Sequence, residues 1–207
     1  MKRIVEKPTD KLLIEITLTL IDEHRGVRGV TLREITRKAG CKHTNVYNYF
    51  ESFEELLWSS LAEVVNQNME FTNQRMCECI EQEKLLIKFT ESQIEFAASH
   101  PGLYQFMWVE SLSGTPPAAV RKVIHSPYLH FFELMKKTIA IDICDREIQQ
   151  IADIIHGYMH GEICKLINGR YFGKTKESYS QYIVENVIRI FSSLIPKNQN
   201  INGGQVK

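Results

Sequence analysis

The amino-acid sequence predicts an all-α protein of about nine helices, and three observations carry that prediction. Apolar residues recur at the three- and four-residue spacing of a helix face along most of the chain. The stretches are bounded by helix-stopping glycines and prolines and by starts of the Thr-x-x-Glu kind. No strand-hairpin signal, internal repeat or low-complexity tract interrupts them. With 207 residues, 43% of them apolar, the chain can bury a core as one compact domain or two small ones.

The first helix is expected from Asp10 to about Arg25, with Leu13, Ile16 and Leu20 along one side and Gly26 and Gly29 closing it. Thr31 and Glu34 then have the offset of a capping box, which starts a helix near Leu32. Leu32, Ile35 and Ala39 follow at helical spacing until Gly40, the residue best able to take the left-handed conformation that ends a helix sharply. A second short helix buries Val46 and Phe50 and leaves Lys42, His43, Thr44, Asn45, Tyr47 and Asn48 on or near its outer face. These residue types reach phosphates and base edges, so the head reads as a three-helix, helix-turn-helix unit directed at DNA. The same stretch could instead be a small bundle with its aromatics in the core, but two tyrosines flanking a polar residue suit partial exposure better.

A long helix is expected from Ser52 or Phe53 to about Asn73, another from Lys84 to Ser99 stopped by Pro101, and a short aromatic one from Gly102 to Leu112. The loop SGTPPAA holds the paired prolines and is the expected flexible segment. Further helices are predicted near Pro127–Ile139, Asp145–Asn168 and Lys176–Ile195. The polar tail, with residues 197–207 as its body, is expected to be disordered.

The formal charge is zero overall, yet residues 1–50 hold ten Lys or Arg against six Asp or Glu, net +4, and the remainder is net −4. The basic end is the one that reads as DNA-binding. No apolar run approaches the ~20 residues of a membrane span. The start, MKRIVEKPTDK, lacks a signal peptide's apolar stretch, so a cytoplasmic location is expected. Cys41, Cys77, Cys79, Cys144 and Cys164 are odd in number and hold no CxxC pair, so reduced thiols are expected. Cys77 and Cys79, two apart on an expected helix, would point to different sides.

The segment from Thr31 to Leu61 resembles the DNA-binding domain of the TetR family of bacterial transcriptional regulators, over roughly residues 9–62. The likeness rests on Thr31, then Ala39-Gly40, then Tyr47-Asn48-Tyr49-Phe50, then Glu54-Glu55-Leu56-Leu57, in the family's order. It implies a DNA-binding domain over 1–52, a helical ligand-binding and dimerisation domain over 53–196, and a flexible tail over 197–207. It further implies DNA contacts from Thr31, Arg33, Lys42, His43, Thr44, Asn45, Tyr47, Asn48 and Tyr49. Glu51 and Phe53 stand where similar proteins often carry a phosphate-facing lysine, which weakens affinity and its salt dependence.

The last two helices, with Tyr158, Ile163 and Ile167 in one and Val184, Val187, Ile188, Phe191 and Ile195 in the other, show apolar faces broader than a monomer covers easily. In similar proteins such helices pair across a two-fold axis, so a homodimer on a palindromic double-stranded operator is expected, with half-sites about 34–36 Å apart. The resemblance alone also makes an effector pocket of the aromatic and methionine cluster: Tyr104, Met107, Trp108, Tyr128, Phe131, Met135, His156, Met159 and His160, with Phe106 and Phe132. The same residues would equally serve as plain core. SHPGLYQFMWVES and DIIHGYMHGEICKLINGR resemble a subgroup with a tryptophan followed by a histidine-glycine pair; here the pair is His160-Gly161, and His156 holds the tryptophan's place.

His156, His160 and Cys164 are spaced by four and could share a transition ion, but no second ligand cluster accompanies them, and neither a metal nor another cofactor is expected. No Gly-rich phosphate loop, nucleophile elbow or convincing catalytic set speaks for an enzyme. The expectation is a ligand-responsive repressor released by a small molecule, with a protein-interaction adaptor on the same fold as the alternative.

Overall fold

The computed structural model describes residues 9–77, 79, 81–139 and 141–196, so the expected tail over 197–207 lies outside the described residues. Among these it has eight α-helices, two short 3-10 helices and no strand. The α-helices are α1 (Asp10–Glu23), α2 (Leu32–Lys38), α3 (Phe53–Met76), α4 (Leu85–Ser99), α5 (Pro101–Trp108), α6 (Ala118–Thr138), α7 (Asp145–Ile167) and α8 (Lys176–Leu194). The 3-10 helices span His43–Asn48 and Gln82–Lys84.

Starts are set by side-chain caps. Thr9, Thr31, Ser52 and Thr175 each accept from the backbone N–H three residues on, at 3.1–3.3 Å. At Thr31 only half of the expected box forms, because the Glu34 carboxylate faces His24 at 3.4 Å and Arg37 at 3.7 Å. Gly40 ends the α2 segment at φ 64°, as its position predicts. Arg25 takes a left-handed φ of 57°, so α1 stops at Glu23, just short of the expected Arg25.

Two boundaries differ more. α5 ends at Trp108 and not at Leu112, because the Gln105 carbonyl accepts from both Val109 and Glu110 N–H while the Glu110 carboxylate is drawn to the head, accepting from Val27 N–H at 2.7 Å. α6 begins at Ala118, more than two turns before Pro127, and carries that proline inside. The Val123 carbonyl, which Pro127 has no N–H to serve, accepts instead from the Ser126 hydroxyl at 2.7 Å. α3 runs past Asn73 to Met76, so Cys77 caps it and Cys79 lies beyond it, not on a shared helix. All five cysteines are free.

One continuous core joins head and body. Leu13, Leu20, Ile21, Ile35, Val46 and Phe50 of the head meet Leu56, Leu57 and Val64 at the start of α3, whose later turns pack on α4 and α6. α7 packs on α8, α6 and α4. The sequence places Ile163, Val187 and Phe191 on faces awaiting a partner, but all three are buried within the chain, because α7 and α8 cover each other and α4. Tyr158, Ile167, Val184, Ile188 and Ile195 are half-buried, and Ile154, 50% exposed, points outward with Tyr182. No helix of the described residues is long and apolar enough to cross a membrane.

Candidate functional site

Two regions carry unusual chemistry. The first is the outer surface of the head. The 3-10 helix after Gly40 is held by three-residue bonds, Asn45 N–H to Lys42 carbonyl at 2.9 Å and Tyr49 N–H to Val46 carbonyl at 3.0 Å. Val46 and Phe50 are buried against α2 and α3, which forces the intervening side chains out. Tyr47 is 49% and Tyr49 42% exposed, Lys42, His43, Thr44 and Asn48 are exposed, and Asn45 is half-buried. The His43 and Tyr47 rings lie 5.8 Å apart. Thr31 and Arg33 are exposed at the start of α2, though the Thr31 hydroxyl already caps Glu34. The Lys42 side chain makes no capping bond.

The second region is a part-open cavity of about 250 Å³ lined by α3, α4, α5, α6 and α7. Of the pocket residues expected from the sequence, Trp108, Phe131, His156 and His160 line it. Tyr104, Met135 and Met159 do not: they are fully buried core, and Met107 and Tyr128 are half-buried away from it. The reason is the 100° step between successive helical residues. On α6 the cavity side runs through Pro127, His130, Phe131, Leu134 and Lys137, and Tyr128 and Met135 each sit one residue off that stripe. On α7 the pair His156 and His160 faces in, and Met159 turns into the core. The sequence reading missed the opposite wall, Asn68, Met69, Thr72 and Met76 of α3 with Phe89 and Gln93 of α4. A signal was present: Asn68 and Thr72 continue, at four-residue spacing, the buried stripe of Leu57, Leu61 and Val64.

The polar groups are organised in two sets. Gln93 donates to Thr72 at 2.8 Å and to Asn68 Oδ1 at 3.4 Å. On the other side, Tyr104 and His160 share a hydrogen bond through the hydroxyl and Nδ1, and His160 Nε2 lies 2.9 Å from His156 Nε2. Burial and then the neighbouring His156 hold His160 down to about 3, and burial lowers His156, so both rings are neutral at pH 7. Burial pushes the Tyr104 hydroxyl well above its usual value. The Trp108 ring stands 4.5 Å from His160 and 5.4 Å from His156. Asn68 Nδ2 and Trp108 Nε1 are buried with no hydrogen-bond partner. The imidazoles face each other and not an open ligand set: no group of three or more His, Cys, Asp or Glu among the described residues is placed to hold a metal. Cys164 is half-buried one turn further on, its thiol raised by burial.

α5 runs from α1 of the head to the cavity. At its start, Asp22 of α1 accepts from Gly102 N–H at 3.0 Å and meets His100 Nδ1 at 3.0 Å. A Cβ on Gly102 would lie 2.5 Å from the Ile21 carbonyl oxygen, so α1 and α5 touch backbone to backbone there. Trp108, at its end, lines the cavity, and Glu110, just beyond, holds Val27.

The sequence matches no family model and no curated protein. The fold does have solved counterparts. A protein of unknown function from Rhodococcus sp. RHA1 superposes with a TM-score of 0.75 at 16% identity, covering 91% of this chain and 98% of that one. A TetR transcriptional regulator from the same organism gives 0.60 at 15%, covering 91% and 96%. The regulator FadR from Bacillus subtilis, in complex with stearoyl-CoA, gives 0.64 at 16%, covering 87% and 98%. The chain has the fold of TetR-type transcriptional regulators.

Proposed function

We propose that this chain, built on the TetR-type fold, is a ligand-responsive DNA-binding regulator that acts as a homodimeric repressor on a palindromic operator and is released by a small molecule. The observation that carries the reading is α5, one eight-residue helix with Trp108 in the cavity wall and Gly102 pressed against α1 of the head. A molecule that binds one position of Trp108 better than another biases the position of α1, and thereby the spacing of two heads. That a protein of the same fold holds stearoyl-CoA supports the effector arm without naming the effector.

In this reading residues 1–52 are the DNA-binding domain and 53–196 the effector and dimerisation domain. Lys42, His43, Thr44, Asn45, Tyr47, Asn48 and Tyr49 enter the major groove, with Thr31 and Arg33 on the flanking backbone. The outward side of α7 and α8 is the dimer contact. Ile154 lies there, and a Cβ at Gly157 or Gly161 would meet nothing within 4 Å, so a second helix can approach closely.

The test is a mobility shift on DNA from the chain's own upstream region, with a salt titration. A salt-sensitive shift protecting a palindrome is expected. Tyr47→Ala and Lys42→Ala should each weaken it while leaving the dimer intact; a variant that dissociates the dimer with DNA affinity unchanged would refute the placement of the recognition segment. A protein-interaction adaptor is the second reading, favoured by Glu51 at the mouth of α3, exposed beside the recognition segment. A well-folded dimer giving no footprint would favour it over the repressor.

A further inference from the structure

Phe172 stands in the turn between α7 and α8 under two costs that its own chain does not offset. It is 84% exposed, more than any other large apolar side chain among the described residues. Its φ of 38° lies in the left-handed region, where a bulky residue is an outlier. Gly173 follows at φ 79°, and Lys174 N–H donates to the Tyr171 carbonyl at 3.1 Å. Phe172 thus holds the first central place of a tight turn with positive φ at both central residues, a place that suits Asn, Asp or Gly. The turn is braced all the same. The Tyr171 ring lies 6.0 Å from the ring of buried Tyr179, and Lys174 Nζ stands 4.9 Å from the centre of the Tyr182 ring. The end of α7 beneath it is closed by Arg170 N–H to the Lys165 carbonyl at 2.8 Å. An aromatic ring held outward by a braced turn is a preformed contact, with little freedom left to lose on binding.

What the ring meets follows from charge. Arg170, Lys174 and Lys176 are exposed around it, and no acidic residue occurs between Glu162 and Glu177. The complement of a cationic, aromatic turn is an apolar hollow rimmed by carboxylates. This chain has one. An open groove of about 610 Å³ runs between α4 and α8, with Ile94, Ala98 and Val184 as its apolar floor. Its charges are Glu91, Glu95, Glu177 and Glu185 against Lys176. Glu91 and Glu95 already hold Lys88 and Arg75, whereas Glu177 and Glu185 form no ion pair among the described residues. Phe172 does not fill the groove of its own chain, since it is exposed. Lys176, four residues on, lines that groove, so ring and groove are neighbours on one surface. A surface with projection and hollow side by side is self-complementary about a two-fold axis: each copy gives its ring and receives the other's. The patch is also continuous with the outward side of α7 and α8, because Tyr182, under Lys174, belongs to that side.

We infer that the Phe172 turn docks into the α4–α8 groove of a second copy of this chain, its ring on the apolar floor and Arg170 against the unpaired carboxylates; this rests on the homodimer reading and extends its α7–α8 contact. The test uses the full chain. With p-benzoylphenylalanine in place of Phe172 and isotope-labelled chain mixed in, irradiation should join labelled to unlabelled copies, at residues 91–98 or 176–185 by mass spectrometry. The dimer dissociation constant, from sedimentation over a dilution series, should rise about ten-fold in Phe172→Gly. Glycine accepts a φ of 38°, so that variant keeps its fold and its helicity. Arg170→Glu should weaken the dimer, and adding Glu177→Arg with Glu185→Arg should restore it. A dissociation constant unchanged in Phe172→Gly, where Ile154→Glu still gives monomers, would overturn the inference and leave the α7–α8 dimer standing. Cross-links confined to one copy, its 197–207 tail included, or joining other residues of the second copy, would overturn it as well. If the unaltered chain is monomeric at every concentration, the homodimer reading fails, and this inference with it.

Discussion

A proton added to His160 would have to sit buried between Tyr104, Trp108 and His156, which writes a pH dependence into the fold. In the unfolded chain a histidine titrates near 6.5; in the folded chain His160 titrates near 3, so below about 6.5 the unfolded state binds the extra proton and stability falls with falling pH. His156 acts in the same direction, lowered by burial, with the Asp153 charge opposing it. Between pH 6.5 and 5 the loss for His160 alone is about 2 kcal/mol. Urea unfolding at a series of pH values measures it, and His160→Asn should flatten the slope; an identical slope in that variant would show that the protons go elsewhere. Trp108 offers a second readout at this scale. Because its ring stands against both imidazoles, a true effector should change its emission, and one that leaves it untouched binds elsewhere.

Among the elements, α5 is where sequence and structure part most instructively. Its aromatic content was readable, but its end at Trp108 depends on Glu110 leaving the helix to hold Val27, a partner 83 residues away. Nothing local at Glu110 announces that. Gly102→Ala puts a methyl 2.5 Å from the Ile21 carbonyl oxygen and 2.6 Å from Asp22 Cα, which must part α1 from α5. The expected cost is about 1–3 kcal/mol. The variant should still bind effector while operator release is impaired, as compared by calorimetry and by mobility shift with effector present. Release that stays normal would show that α5 is not the coupling element. α6 makes a similar point: Pro127 reads locally as a start, yet Ser126 serves the orphaned carbonyl and the helix runs through it.

At the scale of the whole molecule, the question is what the outer side of α7 and α8 meets. Ile163, Val187 and Phe191 belong to the internal core, which leaves a smaller outward face around Ile154, Gly157, Gly161 and Tyr182. Ile154→Glu should give a monomer by sedimentation with unchanged helicity, and should weaken operator binding because one head then grips one half-site. A variant that stays dimeric would move the contact to another face. The net charge of zero hides a head of +4, so operator affinity should fall with salt, each phosphate contact contributing about 0.9 to the log–log slope and the lysine absent at Glu51 and Phe53 making it shallower. A flat salt dependence would tell against the head as the DNA-facing end.

The helices, the turn at Gly40 and the outward set from Lys42 to Tyr49 were determined by the sequence itself, because caps, periodicity and glycine conformation act over a few residues. Of the cavity, Trp108, Phe131, His156 and His160 were legible as an aromatic and histidine cluster. Which neighbours of theirs turn inward was not, since a single residue's step swings a side chain by 100° and the choice belongs to the packing of five helices. The Gln93 bonds to Asn68 and Thr72, the Tyr104–His160 bond and the Asp22 and Glu110 contacts all join residues distant in sequence. Tertiary structure alone decided them, because a hydrogen bond between helices exists only once both are packed.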